Sequence, residues 1–277
     1  MNVHLRQMCL VAGSIERVVN DLSDVLGLRV CHGSGDLSRY GLPARGPMSE
    51  GGRTLLADKG VENVVLPIGR DFLEVVAPLR ADSSAHRYLE RRHGDGGYMV
   101  IFQAADLAGL RERCERRGVR IVFAADFARY RDVHLHTRDV RGAIVSFAMN
   151  VPDNLADGAW YPAGALWEHW PRPDNVLGIA GAEIQSDEPE ALAARWSEVM
   201  GLPCRSTGHK RLCIDIDNGE LRFVPAQDGR GEGVGGLDVR ARQPQTLLDA
   251  ARRHGHAVDG DVALIGGLRL RLIGSSL

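Results

Sequence analysis

Apolar and polar positions from Leu5 to Val30 follow three patterns in turn. Residues 5–12 are mostly apolar, as in a strand. Ile15, Val18, Val19, Leu22, Val25 and Leu26 then recur at helical spacing, which predicts a helix with one face on a sheet. Ser14 stands where an N-cap belongs, and Gly27 where helices end in left-handed backbone. Leu28 to Cys31 begins another strand. The same sequence of patterns returns from Ile179 to Pro203. The two helices end in Val25-Leu26-Gly27-Leu28 and Val199-Met200-Gly201-Leu202, a sign of internal duplication.

Further along, 61–67 and 71–78 read as two strands joined by a turn at 68–70. A short helix over 82–94, capped by Asp82 or Ser83, joins the first module to the next. A second module opens with a strand at 97–103. Its helix over 107–117 is capped by Asp106 and stopped by Gly118, and strands follow at 119–123, 133–138 and 142–149. A third module takes a strand at 179–184, a helix at 189–199, and strands at 211–216 and 220–224 about an Asn218-Gly219 hairpin turn. The fourth runs from a strand at 236–241 through a helix at 244–254 to short strands ending at Ile273.

Each module reads as βαβββ, so the fold class is α+β. A module has one sheet face to cover, and pairing two modules closes their sheets around a common cleft. Sequential pairing gives a domain over 1–150 (modules 1–80 and 95–150) and another over 177–277 (modules 177–226 and 235–277). Residues 151–176, with four of the twelve prolines and three of the four tryptophans, read as a linker pinned to a domain surface by Trp160, Trp167 and Trp170. An aromatic binding platform is the alternative reading. Residues 33–60, rich in Gly, Ser, Pro and charge, read as an insertion near a pocket rim or as disorder.

Charge and cysteine content narrow the function. A net charge of −2 gives no nucleic-acid footprint and no attraction to an anionic membrane. No apolar run approaches the roughly 20 residues that span a bilayer. The five cysteines are odd in number and none is spaced C-x-x-C, which fits a reduced cytoplasmic compartment.

The chain resembles the vicinal oxygen chelate superfamily, which includes glyoxalases, bleomycin resistance proteins, methylmalonyl-CoA epimerases and extradiol dioxygenases. Ile15-Glu16-Arg17 through Leu28, Phe72-Leu73-Glu74-Val75-Val76, and Arg138-Asp139 before Gly142 carry the resemblance, with Val140-Arg141 where Pro-Asp is usual. It implies two glyoxalase-like domains, each with cupped sheets, and a divalent metal held by the first and last strands of paired modules. Counting back from each helix places those positions at Gln7 and Glu74 in module one and at Met99 and Ser146 in module two. They fall near Gly181, Arg222, Gly236 and Leu270 in the second domain. Gln7 and Glu74 can bind a metal through oxygen, whereas Met99 and Ser146 are weak donors and Arg222 repels one. The ligand set of an extradiol dioxygenase is absent, which disfavours ring cleavage.

Glu74 is the leading candidate for acid–base chemistry, a carboxyl in an apolar strand. His134 and His136, two apart on the strand expected at 133–138, are candidates to join it, with Gln7, Tyr98, Met99 and Ser146 lining the cleft. A solvent-facing histidine pair and a salt-bridged glutamate are the structural alternatives. Three readings stay open: an isomerase, epimerase or lyase moving a proton on a small carbonyl compound in the N-terminal cleft, a protein that sequesters a small molecule, or a structural or regulatory module whose clefts are filled by its own side chains. The tandem arrangement makes a monomer the default, with a homodimer as the other expectation.

Overall fold

Hydrogen bonding pins the elements close to where the pattern places them. The computed structural model describes residues 2–44, 56–155, 158–164, 167–207 and 211–275, so the middle of the 33–60 connection, 45–55, lies outside the described residues. Strand β1 (Val3–Val11) leads into helix α1 (Ile15–Leu26). Ser14 Oγ accepts the Arg17 N–H at 3.3 Å, and Gly27 closes the helix at φ 72°. Module one continues with β2 (His32–Gly33), β3 (Val61–Ile68) and β4 (Asp71–Pro78), and α2 (Ser84–Arg92) follows under a Ser83 cap.

Module two comprises β5 (Gly96–Ala104), α3 (Leu107–Arg116), β6 (Ile121–Phe127), β7 (Tyr130–Leu135), the short helix α4 (Thr137–Val140) and β8 (Ile144–Asn150). Module three comprises β9 (Val176–Ser186), α5 (Pro189–Met200), β10 (Cys204–Thr207), β11 (Arg211–Ile216) and β12 (Gly219–Pro225). Module four comprises β13 (Gly233–Ala241), α6 (Pro244–Arg253), β14 (Val258–Asp259), β15 (Val262–Ile265) and β16 (Leu268–Gly274). The expected α+β fold of four βαβββ modules is therefore present. One turn shifts: Ile216 pairs with Gly219, so Asp217 and Asn218 form the hairpin turn rather than Asn218-Gly219. Asn218 is held there by its own side chain, which bonds the backbone N–H and C=O of Leu5 at 3.0 and 3.1 Å.

The chain's compact units group the modules differently from sequential pairing. The first unit takes residues 1–8, 97–161 and 180–237, and the second takes 9–96, 162–179 and 238–277. Module two thus associates with module three, and module one with module four. The helices show why. In the second unit α1 packs on α6, and in the first α3 and α4 pack on α5. Helix α1 finds its apolar partner in the last module, whereas α3 and α4 find theirs in the module that follows them.

In the first unit, Trp196 of α5 packs edge-on against Phe102 and Phe223, with ring centroids 6.4 and 5.7 Å apart, and Phe102 stacks on Phe147 at 5.2 Å. These rings mark the helix side of the sheet. Burying each contributes about 1.5–3 kcal/mol. By alternation, Ile101, Ser146 and Arg222 face the other way, onto the helix-free side. In the second unit, Leu10 and Val18 of α1 both border Gly266, where an added Cβ would lie 3.0 and 3.2 Å from them. Leu10 therefore faces the helix, and Cys9 faces the helix-free side. Trp160 in the first unit and Trp167 in the second are both buried, while Trp170 is half-buried. Trp160 lies edge-on to Tyr130, and Trp167 edge-on to Phe72 at 5.0 Å. The linker tryptophans are anchors in the core rather than an open platform.

Candidate active site

Strand register decides which side chains meet. In β5 and β8, which run parallel, Ile101 lies opposite Ser146, and Ser146 lies opposite His134 on the antiparallel β7. In β9 and β12, Glu183 lies opposite Arg222. In module one, Glu74 lies opposite Val65, and Val65 opposite His32. Directly opposed residues share a sheet face, so each set forms a row across the helix-free side.

The row in the second unit is centred on Glu74. Its carboxylate is buried and takes a donor on each oxygen. Cys9 Sγ–H donates to Oε2 at 2.7 Å, and Asn63 Nδ2 donates to Oε1 at 2.6 Å. His32 closes the row two strands away, about 10 Å across the sheet. It is buried, and its Nδ1 has no hydrogen-bond partner among the described residues. Burial pushes its imidazole down to about 4 and the neighbouring Cys31 thiol up to about 12. Gly164, at φ 80°, lies against the ring, where an added Cβ would come within 2.7 Å of Nδ1. His32 escaped the sequence reading because a two-residue strand after a glycine-rich stretch gives no periodicity.

The row in the first unit is built around Asp132, which the sequence reading also passed over. Ser146 Oγ donates to Asp132 Oδ1, and His134 Nε2 lies 2.7 Å from Oδ2. Asp132 and Ser146 are buried, while the His134 side chain keeps 17% exposure beside the Phe123 ring, 4.8 Å away.

His136 does not continue this face, contrary to the expected strand over 133–138. β7 ends at Leu135, and His136 caps α4, its Nδ1 accepting the Arg138 N–H at 3.1 Å. The bidentate Arg120–Asp139 pair folds the turn over, and Arg120 holds the Asp139 carboxyl well below the usual carboxylate range. His136 is thus placed as a helix cap.

The expected site residues therefore fall into two groups, one per unit: Glu74 with Cys9 and Asn63, and His134 with Asp132 and Ser146. Met99 shares the helix-free face with Ile101 but lies opposite Ile144, not Ser146. Tyr98 lies on the other face of β5, with Phe102. Gln7 is in the first unit, and its Oε1 accepts the Trp160 indole N–H at 2.7 Å. The counted first-strand positions were two residues early. The partners of the last strands are Cys9, Ile101, Glu183 and Asp238. Glu183 pairs with Arg222 at 2.6 Å, and Asp238, fully buried, takes Arg271 through both oxygens at 2.9 and 2.7 Å.

These donors do not fit the divalent metal that the superfamily implies. Glu74 and Gln7 use the oxygens in question on hydrogen-bond donors of the protein. Among the described residues no three His, Cys, Asp or Glu side chains converge as a ligand set. A further cation beside Arg222 or Arg271 would meet like charge.

The family model described as glyoxalase-like domain matches residues 9–200, well over half of the chain. The chain belongs to this glyoxalase-like family. The match runs through modules one and two and into module three. A search of the curated proteins finds no match. Among solved structures, a hypothetical protein from Staphylococcus aureus superposes with TM-score 0.64 at 9% identity, covering 99% of this chain and all of that one. A mutant of 4-hydroxymandelate synthase from Streptomyces coelicolor also gives 0.64, at 14% identity, covering 92% of this chain and 76% of that one. At such identities the likeness shows the shared fold alone. Among the described residues of this glyoxalase-like protein, no helix is long and apolar enough to cross a membrane.

Proposed function

We propose that this glyoxalase-like protein is a small-molecule enzyme of isomerase, epimerase or lyase type, with Glu74 moving a proton on a small carbonyl compound. The observation that carries the reading is the setting of Glu74. Its carboxylate is buried on the helix-free side of the sheet and aimed through both oxygens by Cys9 and Asn63. A carboxylate fixed in this way is oriented before the substrate arrives. As base it accepts the proton from the carbon beside the carbonyl, and as acid it returns that proton to a neighbouring carbon or to the leaving group. The Asn63 amide and the Cys9 thiol hold the side chain in place while it waits. His32, neutral on the same row, presents an unpartnered nitrogen that suits a substrate hydroxyl.

The test is solvent exchange. A panel of small 2-oxo and 2-hydroxycarbonyl compounds is incubated with the protein in D2O, and loss of the C–H signal next to the carbonyl is followed by proton NMR. Glu74→Gln keeps the size of the side chain and removes the base, so exchange falls by about 10²–10⁴-fold. An active Glu74→Gln protein rejects the assignment. Tight binding of a compound with neither exchange nor product supports the second reading, a sequestering protein. The anchoring of Trp167 on Phe72, the Glu74-face neighbour in β4, favours that reading because it shields the row from solvent.

A further inference from the structure

The first unit holds a second group of chemistry-bearing side chains that the Glu74 reading does not use. We propose that Asp132, His134 and Ser146 form a separate proton-transfer site for a small uncharged carbonyl compound, with Nδ1 of His134 as its base.

The order of the hydrogen bonds sets the roles. Asp132 stands in the middle, accepting from Ser146 Oγ on one oxygen and facing His134 Nε2 at 2.7 Å on the other. Ser146 is fully buried and gives its proton to the aspartate rather than to the imidazole, so it lacks the serine–histidine contact of a hydrolase nucleophile. The imidazole is the reactive group. Asp132 draws the proton to Nε2, which leaves the lone pair on Nδ1, and Nδ1 has no hydrogen-bond partner among the described residues. Burial grades across the trio in the sense such a base needs: Ser146 is fully buried, Asp132 keeps 7% exposure, and the His134 side chain keeps 17%. Phe123 flanks the ring with its centroid 4.8 Å away and limits its rotation.

The surroundings select the charge of the ligand. Register places Arg222 and Arg205 in one row on this face of the unit, and both are paired, Arg222 with Glu183 at 2.6 Å and Arg205 with Asp215 and Glu220 at 2.6 and 2.9 Å. Asp132 adds a negative charge beside the imidazole. An anion finds no unneutralised cation in this row, whereas an uncharged carbonyl compound meets no unfavourable charge. The step balances without a co-reactant. The C–H bond next to the carbonyl breaks, its electron pair enters the carbon–carbon bond of the enolate, and the proton ends on Nδ1 while Asp132 faces the imidazolium. Return of a proton to the same carbon restores the starting compound, and nothing is oxidised or reduced.

The experiment uses the full chain with hydroxyacetone, dihydroxyacetone and glyceraldehyde as probes, each in D2O against a protein-free blank. Wild type is expected to speed loss of the C–H signal next to the carbonyl for at least one probe, and His134→Gln to lower that rate about 100-fold or more. A His134→Gln protein with the wild-type rate overturns the proposal, as does a wild-type rate equal to the blank for all three probes. Asp132 acts through His134 as a positioning residue, so Asp132→Asn is read by long-range proton–nitrogen NMR of the imidazole. The wild-type proton is expected on Nε2, and this preference is expected to be lost in the variant. A wild-type proton on Nδ1 overturns the assignment even if no variant folds well. Glu74→Gln measured in parallel separates the two sites. Exchange lost there but kept in His134→Gln overturns this proposal and leaves the Glu74 reading standing.

Discussion

Modules one and two differ from modules three and four at one position of the sheet. In three and four the last strand carries an arginine, Arg222 or Arg271, and the first strand carries the acid that meets it, Glu183 or Asp238. In one and two the last strand carries Glu74 or Ser146, and the first strand offers Cys9 or Ile101, neither of them a cation. Each unit holds one module of either kind. An arginine fork neutralises a carboxylate and fixes it, which makes the position structural. Without the arginine, the acid is held by uncharged donors, Cys9 and Asn63 in the case of Glu74. A smaller contrast separates modules one and two. Glu74 takes its amide donor from Asn63 on the preceding strand, whereas Ser146 gives its proton to Asp132 at the corresponding place, so the carboxylate has moved over by one strand.

The ion pairs give the sharpest way to break this contrast. Arg271→Ala removes the arginine that meets both oxygens of the fully buried Asp238, and the expected loss is about 3–5 kcal/mol of stability, measured by urea unfolding. Arg222→Ala should fall in the same range through Glu183. Asp238→Asn combined with Arg271→Met should recover most of the loss, and failure to recover would show that the fork supports more than the charge.

Acid comes next in size, acting through the His32 end of the Glu74 row. The folded imidazole takes its proton near pH 4 and the free one near 6.5, so the unfolded chain holds more protons between those values. This contribution is intact above about pH 6.5 and is lost as pH falls toward 4, reaching about 3 kcal/mol. His32→Asn should flatten that part of the stability–pH curve, and an unchanged curve would remove His32 from the explanation.

Glu74→Gln should be milder than either arginine variant, about 1–3 kcal/mol, because the amide leaves one former donor facing an N–H rather than an oxygen. A loss as large as that of Arg271→Ala would mean that Glu74 is structural after all. Ser146→Ala is the smallest, about 1 kcal/mol, since Asp132 loses one neutral donor and keeps His134. Its thermal midpoint should drop by a few degrees at most.

Much of the fold could be read from the order of the residues. Helix faces such as Ile15 to Leu26, the caps Ser14, Ser83 and Asp106, and the β3–β4 hairpin are local facts, set by spacing and backbone preference. The module partners were not legible, because an apolar helix face states that it needs a neighbour but not which one. Register failed for a related reason. Residues two apart in a strand share a face, so Gln7 and Cys9, or Gly181 and Glu183, satisfy the same alternation. Only the strand alongside tells them apart. Asp132 was passed over because its role depends on Ser146, fourteen residues away and brought near by a hairpin.

The interleaving of the units also bears on how the protein is made. The second unit draws on residues 9–96 and on 238–277. During synthesis its first portion leaves the ribosome long before the strands and helix that complete it. At about 5–20 residues per second, the intervening chain imposes a delay of several seconds or more. Through that interval the apolar face of α1 waits for α6, and the Glu74 row lacks the rest of its unit. The first unit can close earlier, since its last residue precedes Asp238. Vectorial synthesis therefore imposes an order of assembly: the His134 side matures while the Glu74 side is still incomplete, and a chain stalled short of module four would emerge with only one of its two acid rows in a finished unit.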